Sequence, residues 1–338
     1  MVRDAAHRLG VSGGAGIVEN QGRKLRALLR EQPYVYTGGV YSPLDAQIAE
    51  QVGLKAIYLS GYSMALANGW PDMGFLTMTE VTRIAAGVAR AVEVPVVADA
   101  DDGYGNALTT MRTVGEYMRT GVAGIHLEDQ RFPKRCGHIA GKTLVSREEA
   151  VGKWRAAAGV RDRGDREFVL VARTDALGAV GGSLEEAIWR GRAYADAGAD
   201  LVWSEFSGPA REPAVAFARA MRQTHPGVPL AFNYSSSFRW HTDGQPLTFR
   251  ELGELGYRFI FITLFAAHAG MWAVWNAMQD LAKNEEQAQW ALERLKVGHP
   301  TESHHVMARV GHWQEQEQRY IPGSEERLRA SDGFGEQH

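Results

Sequence analysis

The sequence predicts a (β/α)8 barrel of the TIM type. Three observations carry that prediction. Short apolar, β-rich runs recur along the chain, helix-like stretches separate them, and polar or charged residues close each run. Continuous apolar runs alternating with helices indicate parallel strands covered on their faces. The runs are Tyr34–Thr37, Ala56–Ser60, Val94–Asp101, Gly124–Glu128, Phe168–Arg173, Leu201–Glu205, Val228–Asn233 and Phe259–Thr263, eight in all. Eight such units are the number that closes a parallel barrel. A doubly wound open sheet would need a reversal of strand order, and no Gly-x-Gly-x-x-Gly follows the first run.

The elements can be justified in chain order. Residues 1–32 read as a helical N-terminal arm, with apolar positions at helical spacing in Lys24–Arg30. The arm is expected to pack on the barrel or on a neighbouring subunit. Residues 33–282 form the barrel. Ser42-Pro43 places proline at a first helical position. Thr77–Glu80, Ser146–Glu149, Ser183–Glu186 and Thr248–Glu251 have capping-box spacing, in which side chains satisfy orphan amide donors. Gly198 and Gly256 stand just before later strands, where helix ends favour glycine. Leu264–Leu281 carries Met271, Trp272, Trp275 and Met278 and reads as a helix apolar on much of its circumference. Such a helix caps its own barrel or is buried in a partner. Residues 283–338 are polar, with histidine- and glutamate-rich patches, and read as a solvated extension, helical and then frayed.

Bulk composition excludes several classes of function. A formal net charge of −3 argues against nucleic acid or an anionic membrane as the main partner. One cysteine excludes an internal disulfide framework and fits a reducing compartment such as the cytoplasm. No secretory leader and no apolar run of about 18 residues is visible, so no membrane span is expected.

In a (β/α)8 barrel the carboxyl ends of the strands and the loops after them face one mouth. Here that mouth collects Tyr58, Ser60, Gly61, Asp99, Asp101, Asp102, Glu128, Asp129, Arg173, Asp175, Glu205, Asn233, Ser235, Ser237 and Thr263. Asp99, Asp101, Glu128 and Asp72 repel one another unless a cation sits among them. All-oxygen ligands suit Mg2+, with Mn2+ the alternative. Arg173, Lys134, Arg135, His138, Asn233, Ser235, Ser237 and Thr263 offer donors to carboxylate oxygens. The segment Lys134-Arg135-Cys136-Gly137-His138 holds the single cysteine between cations and a histidine. That company is expected to favour thiolate, and Gly137 allows a tight turn close to a ligand. The chemistry these groups suit is metal-assisted C–C cleavage of a di- or tricarboxylate, with the thiol moving a proton.

At these residues the chain resembles the isocitrate lyase/phosphoenolpyruvate mutase superfamily from about Tyr34 to about Gln316. The motifs are Tyr-Leu-Ser-Gly (58–61), Asp-Ala-Asp-Asp-Gly-Tyr-Gly (99–105), His-Leu-Glu-Asp-Gln (126–130), Lys-Arg-Cys-Gly-His (134–138) and Ala-Arg-Thr-Asp-Ala (172–176). The fourth resembles the branch that cleaves isocitrate or methylisocitrate. Asn233–Trp240 and Phe259–Leu264 look like isocitrate lyase, whereas Gly69–Gly74 looks like the methylisocitrate branch. Tyr62, Tyr234 and Ser236 stand where isocitrate lyases usually have tryptophan, cysteine and proline.

The resemblance implies Mg2+ near Asp99, Asp101 and Glu128. It implies a glyoxylate end held by Ser60, Gly61, Tyr62 and Arg173, and a succinate end lined by Glu205, Asn233, Ser235, Ser237 and Thr263. Tyr58 would serve proton movement at the substrate hydroxyl. Residues 134–138 would form a lid in which His138 tunes Cys136, the acid for the released carbanion. The family's tetramers, which exchange C-terminal helices, imply a burial partner for Leu264–Leu281.

Overall fold

The computed structural model describes residues 19–209 and 211–330. The first 18 residues of the expected N-terminal arm, and the last eight of the tail, lie outside them. Eight parallel strands close into one barrel in chain order: β1 (Val35–Val40), β2 (Ile57–Leu59), β3 (Val96–Asp99), β4 (Gly124–Glu128), β5 (Val169–Thr174), β6 (Leu201–Ser204), β7 (Leu230–Asn233) and β8 (Tyr257–Ile262). Closure is made by β1 on β8, with Val35 opposite Phe259 and Thr37 opposite Phe261. Each of the eight expected runs contains or overlaps one strand.

The helices are α1 (Gln21–Glu31), α2 (Pro43–Gln51), α3 (Gly61–Ala67), α4 (Met78–Ala91), α5 (Ala107–Thr120), α6 (Arg147–Gly164), α7 (Leu184–Asp196), α8 (Arg211–Thr224) and α9 (Phe249–Leu255). Then follow α10 (Phe265–Asn284), α11 (Glu286–Lys296), α12 (His304–Met307), α13 (Val310–Tyr320) and α14 (Ser324–Ala330).

Period-two alternation sorts the strand residues into two environments. Ile57, Leu59, Val96, Ala98, Ile125, Leu127, Leu170 and Ala172 join the core that also holds residues of α4, α5 and α6. Their neighbours Tyr58, Val97, Val169, Val171, Leu201, Trp203, Ala231, Phe259 and Phe261 fill the barrel interior. Leu25 and Leu29 of α1 belong to that interior cluster, so α1 plugs the barrel. Gly22 permits this close packing, because a Cβ there would lie 2.2 Å from the Glu167 carbonyl oxygen. Arg26 fastens α1 further, reaching Asp200 at 2.7 Å.

The capping boxes at Thr77–Glu80 and Thr248–Glu251 are reciprocal. Those expected at Ser146 and Ser183 are one-sided: each serine accepts from the amide three residues on. Glu186 is instead engaged by Arg147 and Arg190. Ser42 caps α2 with Pro43 at its start. Gly198 and Gly256 adopt the left-handed conformation at helix ends, with φ of 101° and 104°.

Two compact units divide the chain between Ala267 and His268. In the second unit Ser324 Oγ donates to the Glu317 carbonyl at 3.3 Å, tying α14 to α13. Along α10 only Ala267 is buried, while Trp272 and Trp275 are 74% and 72% exposed. No helix among the described residues is long and apolar enough to cross a membrane.

Candidate active site

The same alternation that fills the barrel interior sets the polar layer at its mouth. Asp99, Glu128 and Asn233 are the last residues of β3, β4 and β7, and Arg173 is the penultimate residue of β5. Glu205 and Thr263 directly follow β6 and β8. All but the half-buried Thr263 are buried. In the layer below, Tyr58 and His126 share a hydrogen bond of 2.8 Å between the phenol and Nε2. Tyr58 stacks on Phe261, and His126 meets Trp203 edge-on.

Asp99 anchors the acidic side. Its carboxylate accepts from the amides of Gly61 at 3.1 Å and Asp101 at 2.9 Å, and lies 3.4 Å from His126 Nε2. Burial alone would raise its pKa, but His126 and Lys134 outweigh burial and hold it below the ordinary value. Gly61 is required for the approach, since a Cβ would fall 2.3 Å from Asp99 Oδ2. Lys134 is buried and bonds both Asp72 and Asp101. Burial pushes the Asp101 carboxyl up to about 7 even against the attraction of Lys134.

Arg173 anchors the other side. It holds Asp175 through two bonds of 2.8 and 3.0 Å, reaches Glu128 at 3.1 Å and approaches Glu205 at 3.6 Å. Burial pushes Glu128 well above the usual carboxylate range in spite of Arg173. Its Oε1 is buried without a hydrogen bond. Asn233 donates to Glu205 at 3.1 Å and accepts from Thr263 at 2.7 Å.

The 134–138 segment lies over this layer. A Cβ on Gly137 would lie 2.6 Å from both Arg173 Nη2 and Glu205 Cγ, so the close approach expected of this glycine is present. His138 Nε2 is 3.5 Å from Glu205 Oε1, and the ring packs edge-on against Phe238. Cys136 Sγ is 3.8 Å from His138 Nδ1, and the Cys136 amide donates to the Asp72 carbonyl at 3.0 Å.

The expected thiolate is corrected by the structure. Burial, reinforced by Asp72, pushes the Cys136 thiol up to about 12. The flanking cations are committed elsewhere, Lys134 to its two aspartates and Arg135 to the Ala140 carbonyl. The fold therefore favours the protonated form of Cys136 at neutral pH.

Other expected residues sit as follows. Ser60 Oγ caps α3 by accepting from the Ser63 amide at 3.1 Å. Tyr62 is half-buried, and burial followed by Cys136 raises its phenol. Ser235 is buried and accepts from the Ser237 amide at 3.1 Å, while Ser237 itself is exposed. Among the described residues, no group of three or more histidine, cysteine, aspartate or glutamate side chains is arranged to hold a metal ion. A cavity lined by Asp72, Asp99, Asp101 and Lys134 lies beside the acidic set.

Sequence reasoning gave no role to His126 or Lys142. His126 stands two residues before Glu128, and period two puts both on the inner face, so it was findable. Lys142 lies in a loop with no periodicity to aim it. Its ammonium bonds the Gly137 carbonyl and reaches Asp175 at 2.9 Å.

Fold and site together define a (β/α)8 enzyme whose mouth combines guanidinium, amide and hydroxyl donors with a carboxylate cluster and a protonated thiol. The family model for phosphoenolpyruvate phosphomutase matches residues 25–283. An isocitrate lyase of Haloferax volcanii is 48% identical over 322 residues, covering 95% of this chain and 93% of that one. A 2,3-dimethylmalate lyase of Eubacterium barkeri is 39% identical over 265 residues, covering 77% and 87%. Among solved structures, a phosphoenolpyruvate phosphomutase from Streptomyces platensis superposes with a TM-score of 0.79 at 33% identity, covering 89% and 99%. The chain belongs to the isocitrate lyase/phosphoenolpyruvate mutase superfamily. It is an enzyme of the carbon–carbon lyase class acting on a small carboxylic acid.

Proposed function

We propose that this lyase cleaves isocitrate to glyoxylate and succinate by a retro-aldol reaction with Cys136 as general acid. The observation that carries the reading is a half-buried, protonated thiol in a segment lying directly on Arg173 and Glu205. Arg173, Gly61 and Tyr62 would hold the glyoxylate end. Glu205, Asn233, Ser235, Ser237 and Thr263 would take the succinate end, with Gly137 and His138 closing above. The substrate hydroxyl proton passes to Tyr58 and on to His126. Burial lowers that imidazole to about 4, so it is uncharged at neutral pH and a weak acceptor whose basicity Asp99 supports. The C2–C3 bond then breaks, its electron pair stays on the succinate carbon, and the Cys136 proton completes succinate.

Asp99, Asp101, Glu128 and Asp72 would hold Mg2+, or Mn2+, which when bound supplies Lewis-acid stabilisation of oxyanion charge. The donors suit a hard cation in their chemistry, all oxygen with Glu128 Oε1 buried without a partner, while in this structure Lys134 bonds Asp72 and Asp101 and the described side chains are not arranged as a metal cluster. The exposed apolar face of α10 supports a homotetramer with exchanged C-terminal helices, and the single cysteine supports a cytoplasmic setting.

A glyoxylate-trapping assay on isocitrate, with and without chelator, tests the reading. Chelator-sensitive release is expected, and Cys136→Ser should lower turnover by about 100- to 10,000-fold while leaving the fold intact. Normal turnover in that variant would remove the proposed acid. The Gly69–Gly74 segment, which looks like the methylisocitrate branch, makes 2-methylisocitrate the alternative substrate. Pyruvate release from 2-methylisocitrate exceeding glyoxylate release from isocitrate would select that reading. Release from neither would point to another carboxylate lyase or hydrolase of the superfamily.

A further inference from the structure

Lys142 is buried in the loop that follows the 134–138 segment. Its ammonium donates to the Gly137 carbonyl and to Asp175 Oδ1 at 2.9 Å. A buried charge must be paired, and Asp175 supplies the pairing. The bond to Gly137 goes beyond that requirement, and it falls at the point where the segment touches Arg173 and Glu205.

The anchor beneath is rigid. Asp175 is fully buried, and both its oxygens take bonds from Arg173. Its amide donates to Asp129 Oδ1 at 3.0 Å. Asp129 Oδ2 in turn accepts from Tyr194 at 2.6 Å and Arg190 at 3.2 Å. The loop after β5 walls in the ammonium: the Val180 amide donates to the Lys142 carbonyl at 2.9 Å, and a Cβ on Gly178 would lie 3.0 Å from Lys142 Nζ.

The geometry points to Lys142 as a positioning residue that latches the 134–138 segment onto Arg173 through Asp175. Gly137 carbonyl, Lys142, Asp175 and Arg173 form one chain of charged hydrogen bonds, so the placement of the arginine and the closure of the segment move together. Asp175 keeps Lys142 paired when the segment lifts, so of the two bonds Lys142 makes only the one to Gly137 is broken on opening. The inference deepens the proposed activity by naming what closes the site, and rests on that reading only in taking the segment as its cover.

The single cysteine makes the latch measurable without any substrate. The test is the alkylation rate of Cys136 by iodoacetamide in the full-length protein. Lys142→Met should raise that rate about tenfold or more by populating the open segment. Lys142→Arg should restore part of the protection. Gly178→Ala, made together with Ser207→Ala because its Cβ would lie 2.5 Å from Ser207 Oγ, crowds the ammonium at 3.0 Å but keeps its charge; it should give an intermediate rise and carries the test if Lys142→Met does not fold. Lys153→Met, which removes a buried lysine bonded to the Asp102 carbonyl, should leave the rate unchanged. An unchanged rate in folded Lys142→Met or, where that does not fold, in Gly178→Ala with Ser207→Ala would overturn the latch. So would an equal rise in Lys153→Met, which would mean general loosening. Kinetics then provide a separate readout: the turnover of Lys142→Met should fall with its protection. If isocitrate proves not to be a substrate, the alkylation result still stands or falls by itself.

Discussion

Gly137 shows how little room the mouth leaves. A methyl group there would meet Arg173 Nη2 and Glu205 Cγ, each at 2.6 Å, and both side chains are held by further partners. Gly137→Ala should therefore lift the segment and lower kcat/KM on the order of 100-fold. Melting temperature should change little, because no residue of the displaced segment belongs to the hydrophobic core; calorimetry and kinetics on one preparation check both. The neighbouring thiol gives a second residue-level expectation. Its ordinary value of 9.0 is pushed to about 12, so the fold favours the protonated form. That contribution to stability is complete below pH 9 and is lost as pH climbs toward 12. Alkylation of Cys136 should rise steadily with pH through pH 10 without a plateau. A plateau near pH 8.5 would show that the reagent meets an ordinary exposed thiol.

At the scale of the element, the barrel's helices start where side chains can reach back to their first amides. Glu251 bonds the Thr248 amide at 2.8 Å and Arg211 at 2.9 Å. The Arg211 bond, followed by those to Thr248, lowers its carboxyl from 4.5 to about 2. A lowered acid stabilises the fold above pH 4.5, and the effect fades as pH falls toward 2. Glu251→Gln should lower the melting temperature at pH 7, with the deficit shrinking as pH is lowered from 5 to 3. A deficit independent of pH would assign the effect to shape instead of charge. Ser183 has the same spacing, yet Glu186 left its cap for Arg147 and Arg190. The spacing was legible, and so was Arg190 four residues on; Arg147 was not, because it lies 39 residues away in sequence.

For the whole molecule, α10 carries the largest consequence. Met271, Trp272, Trp275 and Met278 are all exposed, far more apolar surface than one chain usually leaves in water. With the proposed tetramer as its cover, Trp275→Glu should shift the sedimentation of the full-length enzyme to smaller species. An unchanged distribution, or a wild-type monomer at micromolar concentration, would remove that proposal. The barrel itself was readable because alternation and helix caps are local signals that recur in every unit. The mouth was readable because strand ends of a parallel barrel all emerge on one side. His126 could have been added by the same alternation, whereas the cap that Ser60 makes for α3 and the exposure of Ser237 depend on the loops and are not set by strand period.

The sequence by itself determined eight parallel strands, the side on which their polar ends gather, and the placing of one thiol near them. Tertiary structure alone decided how the charges are shared. Lys134 goes to Asp72 and Asp101, and Arg173 to Asp175 and Glu128. The sulfur keeps its proton although cations flank it in sequence. Neighbours along a chain need not be neighbours in space, and a charge acts through distance and burial, both of which arise only once the barrel has closed.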